Sequence, residues 1–312
     1  MSGLAIGVDL GGTNARSALV EVPTGKILNE ASARLSSREP RDVVRLLFDL
    51  VRSVDPERAA QGIGIGIAAM LRDSTGFVLN APNLGWRDVD FGALVSAELK
   101  APVTVYNDLA AIAWGETRYG AARGASNVVC VFLGTGIGCG LIINGKLLTG
   151  SGHVAGEIGH TKVVLNGRPC GCGERGCLEA YVSGRHLQGR ALQELKAEPF
   201  LSPNLAALGE DLSATMLDEA ARHGDEYADV LWRESAGYLG MTLANLVTLL
   251  NPERLVLGGS VWLGARELRR RTLEATERLI NPPARRGLLI VDSQLGDTAG
   301  MLGAAALASL SS

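Results

Sequence analysis

The chain has 312 residues, 46% of them apolar and 20% charged, with 30 basic residues against 33 acidic ones and a formal net charge of -3. That composition excludes a chain dominated by disorder, and the length suits about two domains of ~100–200 residues each. No surplus of positive charge is available to neutralise phosphates along a nucleic acid or an anionic membrane, and the most apolar stretches, Tyr238 to Leu250 and Met301 to Leu310, fall short of the ~20 residues that span a bilayer.

An apolar run from Leu4 to Asp9 ends in Gly11-Gly12-Thr13-Asn14, and a second run, Ala15 to Val22, ends in Pro23-Thr24-Gly25. This predicts a strand, a glycine loop and a returning strand. Asp9 stands where a signal peptide needs its apolar core and no basic residue precedes it, so a cytoplasmic chain is expected. Pro40 to Val54 is an amphipathic helix with Val43, Val44, Leu47, Leu50, Val51 and Val54 on one face. Gly62 to Ile67 and Val103 to Tyr106 read as strands, and Asp108 to about Tyr119 as a helix. Asn127 to Leu133, the loop Gly134-Thr135-Gly136-Ile137-Gly138 and Cys139 to Ile143 then repeat the opening pattern, as a duplicated unit or as a second ordinary hairpin. Helices are expected at Leu178 to Leu195, Ser213 to Arg222, Glu226 to Leu250, Ala265 to Ile280 and Thr298 to Ser309, with strands at Leu255 to Leu257 and Leu288 to Val291. The mixture predicts an α/β fold. Two lobes are expected, residues 1–115 joined by the C-terminal helix 298–312, and residues 116–297, with their glycine loops facing one ligand.

Glycine supplies 40 residues, well above the average of ~7%, while aromatics are only 4%, so tight loops and close backbone approaches should do the chemistry. Two patterns fit by letters alone. Gly140 to Lys146 spells a phosphate-binding loop, but Leu147 replaces the hydroxyl residue that would hold magnesium and Leu141-Ile142-Ile143 is strand-like. Gly171-x-Gly173-x-x-Gly176 matches a dinucleotide fingerprint, yet it follows no buried strand and is interleaved with cysteines.

The stronger signal is Asp9-Leu10-Gly11-Gly12-Thr13-Asn14 together with Leu133-Gly134-Thr135-Gly136. Glycines let backbone N–H groups approach phosphate oxygens, Thr hydroxyls add donors, and Asp9 can hold Mg2+ directly or through water, which suits a nucleotide triphosphate. A third pair, Gly258-Gly259-Ser260, follows the strand Leu255 to Leu257, where an adenosine could rest. Five cysteines are present, and Cys170, Cys172 and Cys177 are clustered; with His160 they supply the four ligands of a closed, structural Zn2+ site. Reduced core thiols, or a three-ligand catalytic zinc, are the alternatives. With residues 177 onward in a helix, Cys177 and Glu179 are ~200° apart at ~100° per residue, so the thiolate can face the metal while the carboxylate points elsewhere. Asn107-Asp108 opens the helix after Tyr106, where either residue can be an N-cap.

These segments resemble the ROK family of bacterial sugar kinases and repressors, within the actin, Hsp70 and hexokinase-like fold. The likeness runs from about Ile6 to Gly303 and is most specific over Gly150 to His160 and Cys170 to Glu179. It implies that Glu157, His160 and Glu179 line a sugar pocket braced by the metal. In the kinases that carry N-D-x-x-A-x-x-x-G-E, as Asn107 to Glu116 does here, the aspartate is the catalytic base; Asp108 would have that role and Asn107 would orient the same hydroxyl. Asn80 to Trp86 resembles the glucokinase members, in which an asparagine matching Asn83 contacts the sugar. The family usually carries Pro-Gly where this chain reads Ala68-Ala69-Met70-Leu71-Arg72-Asp73, which bears on sugar choice. The resemblance thus implies ATP-dependent phosphorylation of the 6-hydroxyl of an aldohexose, glucose foremost, in a homodimer or homotetramer. The rivals are another hexose (mannose, fructose or an N-acetylhexosamine) and a non-catalytic sugar sensor. Repressors of the family carry an added N-terminal helix-turn-helix, for which a first strand at Leu4 leaves no room.

Overall fold

Strand, loop and strand open the chain in the computed structural model, which describes residues 3–73 and 75–310. Strand β1 (Leu4–Leu10) turns through Gly11 into β2 (Asn14–Glu21), and β3 (Lys26–Arg34) returns beside β2. Helix α1 (Pro40–Val54) has the bounds its periodicity predicts, starts on Pro40 and buries Val43, Val44, Leu47, Leu50, Val51 and Val54. There follow β4 (Ile63–Ile67), the short β5 (Met70–Leu71), β6 (Phe77–Ala81), β7 (Trp86–Asp90), α2 (Phe91–Leu99), β8 (Val103–Asn107) and α3 (Asp108–Tyr119). Next come β9 (Val128–Leu133), β10 (Ile137–Ile143), β11 (Lys146–Leu147), the four-residue α4 (Glu179–Val182), α5 (Gly184–Ala197) and α6 (Pro203–Ala206). The chain continues through α7 (Ala214–Arg222), α8 (Glu226–Leu250), β12 (Arg254–Gly258), α9 (Ser260–Gly264), α10 (Arg266–Leu279), β13 (Leu289–Asp292) and α11 (Ala299–Ala308). Of the helix expected over 298–312, residues 311 and 312 lie outside the described residues.

The duplicated pattern of the sequence is present in the sheets. One runs β3-β2-β1-β4-β8 and another β11-β10-β9-β12-β13, so each strand-loop-strand pair is flanked outside by the next strand and inside by two later ones. A third sheet is β5-β6-β7. By compactness the chain divides into a first unit, Met1–Cys130, Gly140–Gly156 and Asp292–Ser312, and a second, Val131–Cys139 and Glu157–Val291.

In the first unit the core gathers Ile6, Val8, Leu10, Ile63, Ile65, Ile67 and the apolar face of α1. The other face of β1 and β4 is covered by α11, whose described residues are all buried. Glycine permits the contact: a Cβ on Gly64 would lie 1.9 Å from the Ala304 carbonyl oxygen, and one on Gly303 would lie 1.7 Å from that of Ala111 in α3. α11 is thus wedged between sheet and α3 with backbone touching backbone. At the far end of α3 the buried Glu116 carboxylate accepts N–H groups from Ala121 at 2.8 Å and from Gln294 and Leu295 at 3.0 Å, tying α3 to the approach of α11.

Candidate functional site

In the first unit, the turn after β1 is closed by the Gly11 N–H on the Asn14 carbonyl at 3.0 Å, and the Thr13 carbonyl accepts from Leu35 N–H at 2.8 Å. Thr13 and Asn14 are exposed. The loop lies against the β6–β7 turn: a Cβ on Gly12 would sit 2.6 Å from Asn83 Cβ, so these two predicted residues are neighbours. Asp9 pairs across the strands with Arg16 and lies under the first turn of α11, where a Cβ on Gly300 would come 3.1 Å from its Cγ. Burial pushes the Asp9 carboxyl above its ordinary range, Arg16 opposing and Asp297 reinforcing. Arg16 bridges to Asp297 at 3.1 Å.

Asn107 and Asp108 stand at the junction of β8 and α3. Asn107 is the N-cap, its Oδ1 accepting from Leu109 N–H at 2.9 Å and Ala110 N–H at 3.2 Å, while its Nδ2 donates to the Ala69 carbonyl at 3.2 Å. An asparagine amide carries two N–H donors, so one remains for a ligand and the oxygen is already occupied. The capping role and a ligand role are therefore compatible. The same bond anchors the loop that departs from the family's Pro-Gly, which is built as β5, paired with Asn80 through Met70. Asp108 is half-buried, and its Oδ1 accepts from Leu109 N–H at 2.9 Å.

In the second unit His160, Cys170, Cys172 and Cys177 converge, their ligand atoms all within 4.8 Å of one another. Cys172 Sγ is 3.7 Å from Cys177 Sγ, and His160 Nδ1 is 3.8 Å from Cys170 Sγ. Zinc–sulfur bonds of ~2.3 Å in a tetrahedron set sulfurs about 3.8 Å apart, so separation and donor type both fit a zinc ion. Burial pushes the Cys170 thiol up to about 12. Of the three glycines between the cysteines, Gly173 and Gly176 have φ of 91° and 77°, and a Cβ on Gly176 would strike the Val164 carbonyl oxygen at 1.7 Å. Gly171 is different, with open space around it, so the turn needs two glycines rather than three.

Glu157 precedes the 3-10 turn Ile158–His160, its Oε2 3.8 Å from His160 Nε2. Burial raises its carboxyl above the usual range, with His160 opposing and Glu179 reinforcing. Cys177 and Glu179 do not share a helix: α4 starts at Glu179, and Cys177 sits in a bridge with Lys162. The expected helix over 178–195 is interrupted at Ser183, whose ψ of 147° is extended. Glu179 is consequently held beside the candidate metal ligands, its Oε1 3.8 Å from Cys170 Sγ, while its Oε2 accepts from Ile137 N–H at 3.4 Å. The glycine loop is adjacent: Gly134 and Thr135 carbonyls accept from Gly184 and Arg185 N–H at 2.9 and 3.2 Å, and a Cβ on Gly136 would lie 2.9 Å from Glu179 Oε2. Gly258 ends β12, and Gly259, with φ of 95°, packs on the Leu133 backbone next to that loop. Two of the three glycine loops are thus neighbours.

Three residues at these sites escaped the sequence reading. Arg16 faces Asp9 only through strand register; Lys162 reaches Cys177 only through the bridge; His186 approaches Cys170 and Glu179 and bonds Ser183 Oγ at 2.9 Å because the helix breaks. None has a spacing signal.

The residue pattern of the ROK family matches residues 5–310. The glucokinase of Streptomyces coelicolor is 35% identical over 311 residues, 98% of each chain. A ROK family glucokinase from Streptomyces griseus, solved in complex with glucose and AMPPNP, is 37% identical, with a TM-score of 0.81 over 99% of this chain and 100% of that one. The xylose repressor of Caldicellulosiruptor bescii is 31% identical over 265 residues, 82% of this chain and 65% of its own. These likenesses give the fold as the actin- and hexokinase-like ATPase fold.

Proposed function

The chain belongs to the ROK family, and from that premise we propose that it is an ATP-dependent hexose kinase acting on the 6-hydroxyl of an aldohexose, glucose foremost. One observation carries the choice of kinase: Asp108 is the first residue of α3, on a turn fixed by the Asn107 cap. Magnesium-bound ATP supplies the γ-phosphoryl group. Phosphoryl transfer passes through a loose transition state in which positioning and charge stabilisation dominate. A carboxylate does not ionise a sugar hydroxyl beforehand; Asp108 accepts the 6-hydroxyl proton as the new oxygen–phosphorus bond forms and the bond to ADP breaks. Asn107 offers its remaining N–H to the sugar. Asp9 is the candidate magnesium partner, and the backbones of Gly11, Gly12, Gly134, Thr135 and Gly136 are the candidate phosphate donors, with Gly258 and Gly259 for the nucleoside. Glu157, His160, Glu179 and Asn83 recognise sugar hydroxyls. Zinc held by His160, Cys170, Cys172 and Cys177 has a structural part, fixing Glu157 and Glu179.

Sugar-dependent ADP release across a panel of hexoses tests both levels. Glucose is expected to have the highest kcat/KM, since sites that hydrogen-bond hydroxyls reject analogues lacking one by up to ~10⁴–10⁵; a higher value for N-acetylglucosamine or N-acetylmannosamine overturns glucose and leaves the kinase. Asp108→Asn should retain the fold and lower kcat by ~10²–10⁴. Near-normal turnover would reduce Asp108 to part of the helix cap, and no ADP release with any sugar would favour a regulator.

A further inference from the structure

Lys162 follows His160 by two positions, on the strand-like segment facing Cys177. The antiparallel bridge between Lys162 and Cys177 is flanked by Leu178 N–H on the Thr161 carbonyl and Val163 N–H on the Gly176 carbonyl, both at 2.9 Å. Residues opposed across such a bridge project to the same side, and Lys162 Nζ reaches 3.0 Å from Cys177 Sγ. Cys177 is fully buried and Lys162 is exposed, so the ammonium stands on the solvent side of the sulfur.

We propose that Lys162 is a positioning residue for the metal centre, donating to the Cys177 thiolate and offsetting the centre's excess negative charge, and so slowing metal loss. This rests on the zinc reading above. Three thiolates and a neutral imidazole around a divalent ion leave one negative charge uncompensated. An ammonium at hydrogen-bond distance cancels that charge and makes a charge-assisted contact with a sulfur lone pair that the ion leaves free. Partners that orient metal ligands in this way commonly change metal affinity by ~10–100-fold. The role needs a positive donor on a long stem, which arginine also supplies.

The test is zinc transfer from the intact protein to a chromogenic chelator at fixed pH, together with zinc content on isolation. The unsubstituted protein is expected to hold one zinc per chain, Lys162→Met to release it ~10–100-fold faster, and Lys162→Arg to return the slow release. Lys162 is at the surface, so neither change should disturb folding. A zinc-free unsubstituted protein overturns the zinc reading and the inference with it. Zinc held equally long in Lys162→Met, or release as fast in Lys162→Arg as in Lys162→Met, overturns the inference alone.

Discussion

The sheet face under α11 and the segment from Glu157 to Ser183 differ in what gives them order. Under α11, glycine backbones on β1, β4 and α3 meet a helix of alanine, glycine, leucine and methionine, all buried. From Glu157 to Ser183 there are a 3-10 turn, the bridges Lys162 to Cys177 and Pro169 to Arg175, and a four-residue helix, with Leu165 largely exposed. Close packing of the first kind leaves no freedom to lose. The second buries Ile158, Leu178, Tyr181 and Val182, and it is where the candidate metal-ligand cluster lies. Candidate site residues occur in both, with Asp9 at the edge of the first and Glu157 and Glu179 in the second.

Breaking the second region should have the larger effect. Apparent binding energies of structural zinc run to ~10–16 kcal/mol at neutral pH, so Cys172→Ala should release the metal and disorder the segment, and affinity for glucose should collapse. Calorimetric titration with glucose decides it; unaltered affinity in a zinc-free Cys172→Ala protein would show that the segment orders without metal. Breaking the first region is a packing matter. Gly64→Val drives a side chain into the Ala304 carbonyl, where no flexible neighbour can yield, and should exceed the ~1–3 kcal/mol usual for overpacking. Urea denaturation with an unshifted midpoint would mean that α11 slides.

A smaller effect sharpens the contrast at Asp9. Because burial raises its folded-state pKa above 3.8, the neutral form is favoured in the folded chain. The contribution of Asp9 to stability is then fully present below that value and is lost as pH rises through the raised pKa. Asp9→Asn does not titrate, so it should match the unsubstituted protein near pH 3 and exceed it by a margin that grows as pH rises to the raised pKa and then levels off, while losing kinase activity. Parallel urea midpoints across pH would show that the folded protein holds the Asp9 charge without penalty.

Periodicity made α1 legible to the residue, and glycine loops between apolar runs located β1, β2, β9 and β10. It failed where burial does not follow sequence hydrophobicity. β3 is an edge strand with mostly exposed residues and no apolar alternation, and α2 is apolar almost all round, with its start marked only by Asp90. The break at Ser183 arises because Gly184 and Arg185 N–H groups turn to the Gly134 and Thr135 carbonyls, a distant partner that no local window contains. The four candidate metal ligands were legible as a group because their spacing is local. Lys162 was not, since its relation to Cys177 exists only across a bridge.

The burial of α11 also sets a schedule. Arg16 and Asp297, which meet in the folded first unit, are 281 residues apart. At ~5–20 residues per second of synthesis, the grooves cut by Gly7 and Gly64 wait tens of seconds for the helix that fills them. Throughout that interval the face of β1 and β4 that carries Gly7 and Gly64 has no helix to cover it. The first unit can therefore close its sheet only once residues 299–308 have been made.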